Sequence, residues 1–162
     1  MDLKTDIETL ARVINGRVIK GSLGSLFSGF ETDTRKLKGG EFFWAFKGEA
    51  YDAHAFLEDT LAKGVKGWIV EDNKIGRFKT YPEFVIGVWD SLKALHRLAA
   101  WHRGRFDIPL TAITGSNGKS TTKEMLRSIF GKAGPTCSNA GNLNNHFGLP
   151  LSLLELLSLI HI

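Results

Sequence analysis

One stretch limits what this chain can fold into more than any other: residues 108–130, IPLTAITGSNGKSTTKEMLRSIF. Leu110, Ala112 and Ile113 make a short apolar run after Pro109, the segment GSNGKS breaks it, and Met125, Leu126, Ile129 and Phe130 then recur at helical spacing. The order is strand, glycine turn, helix. Phosphate binding is the chemistry that needs this order, because glycines let backbone N–H groups close around an anion and the new helix points its unpaired N–H groups and positive dipole end at it. Lys119 adds a point charge for the outer phosphates, and the Ser120 hydroxyl stands where a magnesium ligand belongs. The strict pattern G-x-x-x-x-G-K-[ST] would need a glycine at Ile113, so what stands here is the shorter G-x-x-G-K-S. A plain strand-to-helix turn with a solvated lysine is the competing account, and the flanking strand and helix favour the nucleotide one.

The chain has 162 residues, room for one full core or for a small domain and part of another. Its 43% hydrophobic and 23% charged content is that of a globular protein. A net charge of +4 suits an anionic partner, but the basic residues are scattered among acidic ones, so a nucleotide or nucleotide-sugar fits at least as well as nucleic acid. The single cysteine, Cys137, excludes an internal disulfide, and no paired Cys/His spacing for zinc occurs. The opening MDLKTDIETLARVING carries acids and lacks the apolar core of a signal peptide, and no window approaches a membrane span. The expectation is a cytoplasmic protein with no membrane partner.

Along the chain, Ile7, Leu10, Ala11 and Ile14 predict an amphipathic helix with Asp2 or Thr5 as N-cap and Gly16 as its stop. Val18 and Ile19 are too short a run to assign, and residues 21–29 read as a Gly/Ser loop. Residues 42–46, FFWAF, read as a buried strand; a base-stacking platform is the alternative, disfavoured because consecutive side chains on a strand point to opposite faces. Ala53, Phe56, Leu57, Thr60 and Leu61 predict a second helix closed by Gly64, residues 68–70 and 84–88 two more strands, and Leu92, Leu95, Leu98, Ala99 and His102 a third helix opening near Asp90 or Ser91. His96 and His102 read as packed or surface histidines, since no metal-binding partner lies one turn away. Alternating strands and helices predict an α/β fold, and the polar link at 103–109 is the best boundary. Residues 150–156 look like the start of another helix.

The loop T-G-S-N-G-K-S-T-T resembles the ATP loop of the Mur ligases, and with the following Lys123, Glu124 and Met125 it looks most like the last ligase of that family. Two further stretches carry the resemblance. Thr32-Asp33-Thr34-Arg35-Lys36, the Gly39-Gly40 turn, residues 42–46, Lys47-Gly48 and Asp52-Ala53-His54 with Phe56 are similar to the family's pattern D-[ST]-R, P-G, L-F-V-A-x-x-G, D-G-H-x-F, which holds the UDP end of the substrate. Gly39 stands for the usual proline there, Trp44 for a small aliphatic residue and Ala53 for a glycine. Residues 141–150, GNLNNHFGLP, are similar to G-N-[LFY]-N-N-x-x-G-x-P. So many amide groups are costly to bury without partners, which suits a site edge; a polar loop capping the next helix is the alternative.

The resemblance implies an α/β protein whose small N-terminal substrate domain (1–105) precedes the start of a truncated P-loop parallel-sheet ATP-binding domain (106–156). It implies ATP and Mg2+ as cofactors, with Gly115, Ser116, Asn117, Gly118, Lys119, Ser120 and Thr121 around the phosphates, Lys119 catalytic and Ser120 on the metal. Asp33, Thr34, Arg35, Lys47, His54, Asn144 and Asn145 are the implied substrate residues. The implied activity is ATP-dependent joining of D-alanyl-D-alanine to UDP-N-acetylmuramoyl-tripeptide through an acyl phosphate in peptidoglycan precursor synthesis, by a monomer with no nucleic-acid partner. Two alternatives are the preceding ligase, which adds the third amino acid and against which residues 142–145 argue, and a non-catalytic UDP-sugar-binding module. The last six residues, LSLIHI, match one reading frame of a transposon-end adapter used in preparing sequencing libraries, so residues 157–162 are expected to be a non-native tail.

Overall fold

The computed structural model describes residues 2–48, 51–76, 78–139 and 145–156. The chain divides into two compact units, Met1–Leu98 and Ala99–Ile162. The expected tail at 157–162 and the amide-rich residues 141–144 lie outside the described residues.

The first unit is built on a six-stranded mixed sheet in the order β1-β3-β4-β5-β6-β2. Its strands are β1 (Asp2–Asp6), β2 (Arg17–Lys20), β3 (Leu26–Glu31), β4 (Phe42–Trp44), β5 (Gly67–Glu71) and β6 (Phe84–Val88). The central four run parallel, while β1 pairs antiparallel with β3 at one edge and β2 antiparallel with β6 at the other. Three expectations need correction here. Residues 26–29, read as loop, are strand, because Phe27 and Gly29 pair with β1 whatever their loop-like composition. The short Val18-Ile19 run is part of β2. The first helix, α1 (Ile7–Ile14), is capped by Asp6, whose carboxylate accepts the Thr9 N–H at 2.7 Å, because Asp2 and Thr5 belong to β1.

Alternation along β4 sends Phe42 and Trp44 to one face and Phe43 and Ala45 to the other, and all four are fully buried. On the second of these faces Phe43, Ala45, Leu57, Val65, Trp68, Val70 and Val85 form one cluster. Each large apolar side chain so buried contributes about 1.5–3 kcal/mol. Phe42 meets Phe27 edge-on at 5.0 Å and Phe84 at 5.7 Å, while Trp44 lies against Phe30 and Phe46. The run at 42–46 is therefore core. The second helical segment begins as a 3-10 turn (Ala53–Phe56) and continues as α2 (Leu57–Ala62). Helix α3 (Ser91–Arg103) starts in the first unit and ends in the second.

In the second unit, α4 (Lys119–Ala133) and α5 (Gly148–Leu154) form as expected. The strand expected before the glycine loop does not: residues 108–114 carry no strand. A strand exists through its neighbours' hydrogen bonds, and the described part of this unit contains no other strand to supply them. His102 is fully buried beside the Phe106 ring, as a packed histidine, and His96 is exposed on α3. Among the described residues no helix is long and apolar enough to cross a membrane.

Candidate functional site

Two groups of predicted residues stand in the structure, one in each unit. The first is the glycine loop. Gly118 is the N-cap of α4 in left-handed conformation (φ 78°), and Gly115 is also at positive φ (145°), positions where a side chain would strain the backbone. A Cβ built on Gly118 would meet nothing within 4 Å, so backbone conformation and not crowding is what favours glycine there. The first i→i−4 hydrogen bond of the helix runs from Thr122 N–H to the Gly118 carbonyl at 2.9 Å. The N–H groups of Lys119, Ser120 and Thr121 therefore stand outside the helical ladder at its positive end.

Lys119 folds back over the loop, its Nζ donating to the Gly115 carbonyl at 2.5 Å and the Ser116 carbonyl at 3.3 Å. The cation is thus held at the mouth of the loop by weakly competing neutral acceptors, which anionic phosphate oxygens would displace. Ser116, Asn117, Ser120 and Thr121 are exposed. Magnesium needs an octahedral oxygen shell, usually one or two carboxylates besides phosphates and water. Among the described residues no group of three His, Cys, Asp or Glu side chains could hold a metal ion. The residues thus fit the phosphates of a nucleotide well, and would give the metal one ligand, Ser120 Oγ.

The second group lies at the C-terminal ends of the parallel strands, the edge at which open α/β sheets hold ligands. Residues 32–36 follow β3, residues 45–48 follow β4 and residues 72–74 follow β5. The Glu31 carboxylate accepts the N–H groups of Thr32 and Asp33 and so fixes the exit of β3. Asp33 caps the 3-10 turn Thr34–Lys36 through the Arg35 N–H at 3.0 Å and grips the Arg35 guanidinium at 2.9 Å (Nε) and 2.7 Å (Nη2). Those bonds from Arg35, side chain first, hold the Asp33 carboxyl well below the usual carboxylate range. Arg35 thus spends much of its charge on Asp33 before any ligand arrives. The Thr34 carbonyl accepts from Lys63 Nζ at 2.8 Å, and Lys47 is exposed.

His54 does not offer a nitrogen to a ligand. The residue is 4% exposed, Nδ1 is 2.6 Å from Asp52 Oδ1, and Nε2 accepts the Glu71 N–H at 3.2 Å, which leaves Nδ1 as the nitrogen that donates to Asp52. Asp52 also accepts from Lys74 Nζ at 2.8 Å. Sequence reasoning placed His54 on the substrate, whereas its geometry is that of a brace between residues 52–54 and the end of β5. It named Asp52 only as part of the D-x-H motif, with no role of its own, and did not single out Lys74. The D-x-H spacing was a usable signal for Asp52; Lys74, 22 residues away, had none. Asn145 Oδ1 accepts the N–H groups of Gly148 (2.6 Å) and Phe147 (3.2 Å) and so steadies the start of α5, while Asn144 lies outside the described residues.

With this geometry in hand, the chain can be set beside known proteins. The profile of the Mur ligase middle domain matches residues 113–160, the glycine loop included. The UDP-N-acetylmuramoyl-tripeptide–D-alanyl-D-alanine ligase of Bacillus subtilis is 34% identical over 157 residues, which are 95% of this chain and 34% of that protein. The crystal structure of MurF from Acinetobacter baumannii superposes with a TM-score of 0.85 at 35% identity, over 95% of this chain and 33% of that one. MurF from Thermotoga maritima, solved in complex with ADP, gives a TM-score of 0.69 at 31% identity over 79% of this chain and 29% of that one. The chain belongs to the Mur ligase family. Within it the likeness is to MurF, and the chain spans about a third of the length of the relatives it matches.

Proposed function

We propose that this chain is the substrate-binding and nucleotide-loop portion of an ATP-dependent ligase that joins D-alanyl-D-alanine to UDP-N-acetylmuramoyl-tripeptide in the cytoplasm. The observation that carries the reading is the loop at residues 115–120, its two positive-φ glycines and Lys119 set at the bare N-terminus of α4, inside the segment matched by the family's middle domain. Residues 1–105 would hold the UDP end of the substrate and residues 106–156 would begin the ATP-binding domain.

In the whole protein the terminal carboxylate oxygen of the tripeptide would attack the γ-phosphorus of ATP, with ADP leaving. The amine nitrogen of D-alanyl-D-alanine would then attack the acyl carbon, losing its proton as phosphate departs. The chain's own residues contribute charge and position: the N–H groups of residues 119–121 bind phosphate oxygens, Lys119 neutralises charge moving onto the leaving diphosphate, and Ser120 Oγ would hold a magnesium ion that offsets phosphate charge. At the sheet edge Lys47 meets the substrate diphosphate and Thr34 hydrogen-bonds a uracil or phosphate oxygen, with Arg35 adding what charge Asp33 leaves it. Asn144 and Asn145 would stand near the reacting ends.

Lys119→Ala in the full-length protein should cut kcat by about 10²–10³, or ~3–4 kcal/mol, as for loss of one preorganised charge-stabilising donor, with the fold intact by circular dichroism. Unchanged turnover would refute the loop assignment. A second reading has one observation in its favour: α4 buries none of its residues, whereas the first unit has a complete core. On that reading the chain as it stands is a non-catalytic UDP-sugar-binding module. Calorimetry of the 162-residue chain separates the two, since binding of UDP-N-acetylmuramoyl-tripeptide alone favours the module and binding of Mg-ATP as well shows a preformed loop.

A further inference from the structure

Lys74 belongs to no motif, yet it completes a largely enclosed polar cluster with Asp52 and His54 at the sheet edge. Its side chain is 23% exposed and its Nζ donates to Asp52 Oδ2 at 2.8 Å. Asp52 Oδ1 at the same time takes the His54 Nδ1–H at 2.6 Å and the His54 backbone N–H at 3.1 Å. His54 Nε2 accepts the Glu71 N–H at the last residue of β5. On its other side Asp52 forms an isolated antiparallel bridge with Lys47, supported by Gly48 N–H to the Tyr51 carbonyl at 2.8 Å and Ala53 N–H to the Phe46 carbonyl at 2.9 Å. The connections run without a gap from β5 to the backbone of Lys47.

We propose that Lys74 is a positioning residue which, through Asp52 and His54, fixes the Lys47 backbone at the C-terminal edge of the sheet and so presents the Lys47 ammonium to the diphosphate of a UDP-sugar. The inference rests on the functional reading above for its ligand, and on geometry alone for the brace. The physical case is that of a half-buried carboxylate. With Lys74 present, both Asp52 oxygens are directed into the protein and hold residues 52–54 in one conformation. Without it, Oδ2 keeps the desolvation cost and loses its partner, and the carboxylate gains by turning to water, which releases the His54 contact and with it the bridge to Lys47. An exposed surface pair would give no such leverage, because water would replace the lysine at little cost.

The test compares Lys74→Met and Lys74→Arg with the parent in the full 162-residue chain. Amide hydrogen exchange at Gly48, Ala53 and Glu71 should speed up by about tenfold in Lys74→Met and return toward the parent rate in Lys74→Arg, with the amides of α1 unmoved. The affinity for UDP-N-acetylmuramoyl-tripeptide should fall by about tenfold in the methionine variant and recover in the arginine one. Unchanged exchange in Lys74→Met overturns the brace. Faster exchange with unchanged affinity overturns the link to the ligand, and acceleration spread over the whole sheet without rescue by arginine assigns Lys74 to general stability instead. Should the parent chain bind no UDP-sugar, the functional reading fails and the exchange rates alone decide the brace.

Discussion

Asp52 is a residue on which opposing effects can be weighed. Desolvation works to raise its pKa, but the hydrogen bonds from Lys74 and His54 together outweigh it and hold the carboxyl well below the usual range. The unfolded chain therefore takes up this proton first as the pH falls. The stabilisation is complete above the unfolded value of about 4 and is lost as the pH drops through the lower native value. At neutral pH, Asp52→Asn should cost about 1–2 kcal/mol, a charge-assisted hydrogen bond discounted for a side chain partly open to solvent. Urea unfolding of the two proteins at neutral pH and near pH 3 checks this: the difference should narrow toward acid, and a constant difference would mean that the ion pair does not set the acid limb. His102 adds to the same limb from a different cause. Burial first, and then the charge of Arg105, lowers its pKa, so its contribution is lost as the pH falls below about 6.5, the unfolded value, toward the native one.

Elements were legible in the sequence where their signals are local. The glycine loop and α4 depend on residues within one turn of each other, and the four-residue spacing of α1 is unaffected by what packs on it. Strands at 26–29 and 17–20 were not legible, since Leu26–Glu31 has the composition of a loop and is made a strand by β1 and β4 on either side. The same dependence removes the strand expected at 110–113, where the periodicity is present and the neighbours are not. The candidate phosphate residues are proposed from a motif that lies within one turn of chain; the Asp52–His54–Lys74 brace joins segments that only the folded sheet brings together. Gly67 is another position whose role only packing reveals. A Cβ there would lie 2.3 Å from the Phe42 ring, inside a fully buried part of β4. Gly67→Ala must push that ring off its seat between Phe27 and Phe84, at a cost of about 1–3 kcal/mol. A fall in the urea midpoint without a change in slope is the expected result, and an unchanged midpoint would show that the Phe42 ring yields freely.

The two units of the chain differ in how much apolar surface their elements bury. In Met1–Leu98 the strands β4, β5 and β6 are buried along almost their whole length. In Ala99–Ile162 the helix that follows the glycine loop buries no residue, and Met125 and Ile129 are each 61% exposed. A parallel sheet with helices on its faces is the usual support for such a loop, and the chain spans only about a third of its relatives' length. The 15 residues of α4 must then hold their helical form with little tertiary help, near the length at which isolated helices are marginal, and with Gly131 inside. Local stability should differ sharply between the units. Amides of β4, β6 and the interior of β5, short of Glu71 at its end, should exchange only through global unfolding, while those of α4 should show protection of about tenfold or less. Mg-ATP at saturating concentration should slow exchange in α4 if the loop closes on phosphate here, because a ligand stabilises whatever conformation it binds. Strong protection of α4 in the free chain would mean that its apolar face is covered in solution, and the separation of the chain into a stable sheet and a bare helix would have to be abandoned.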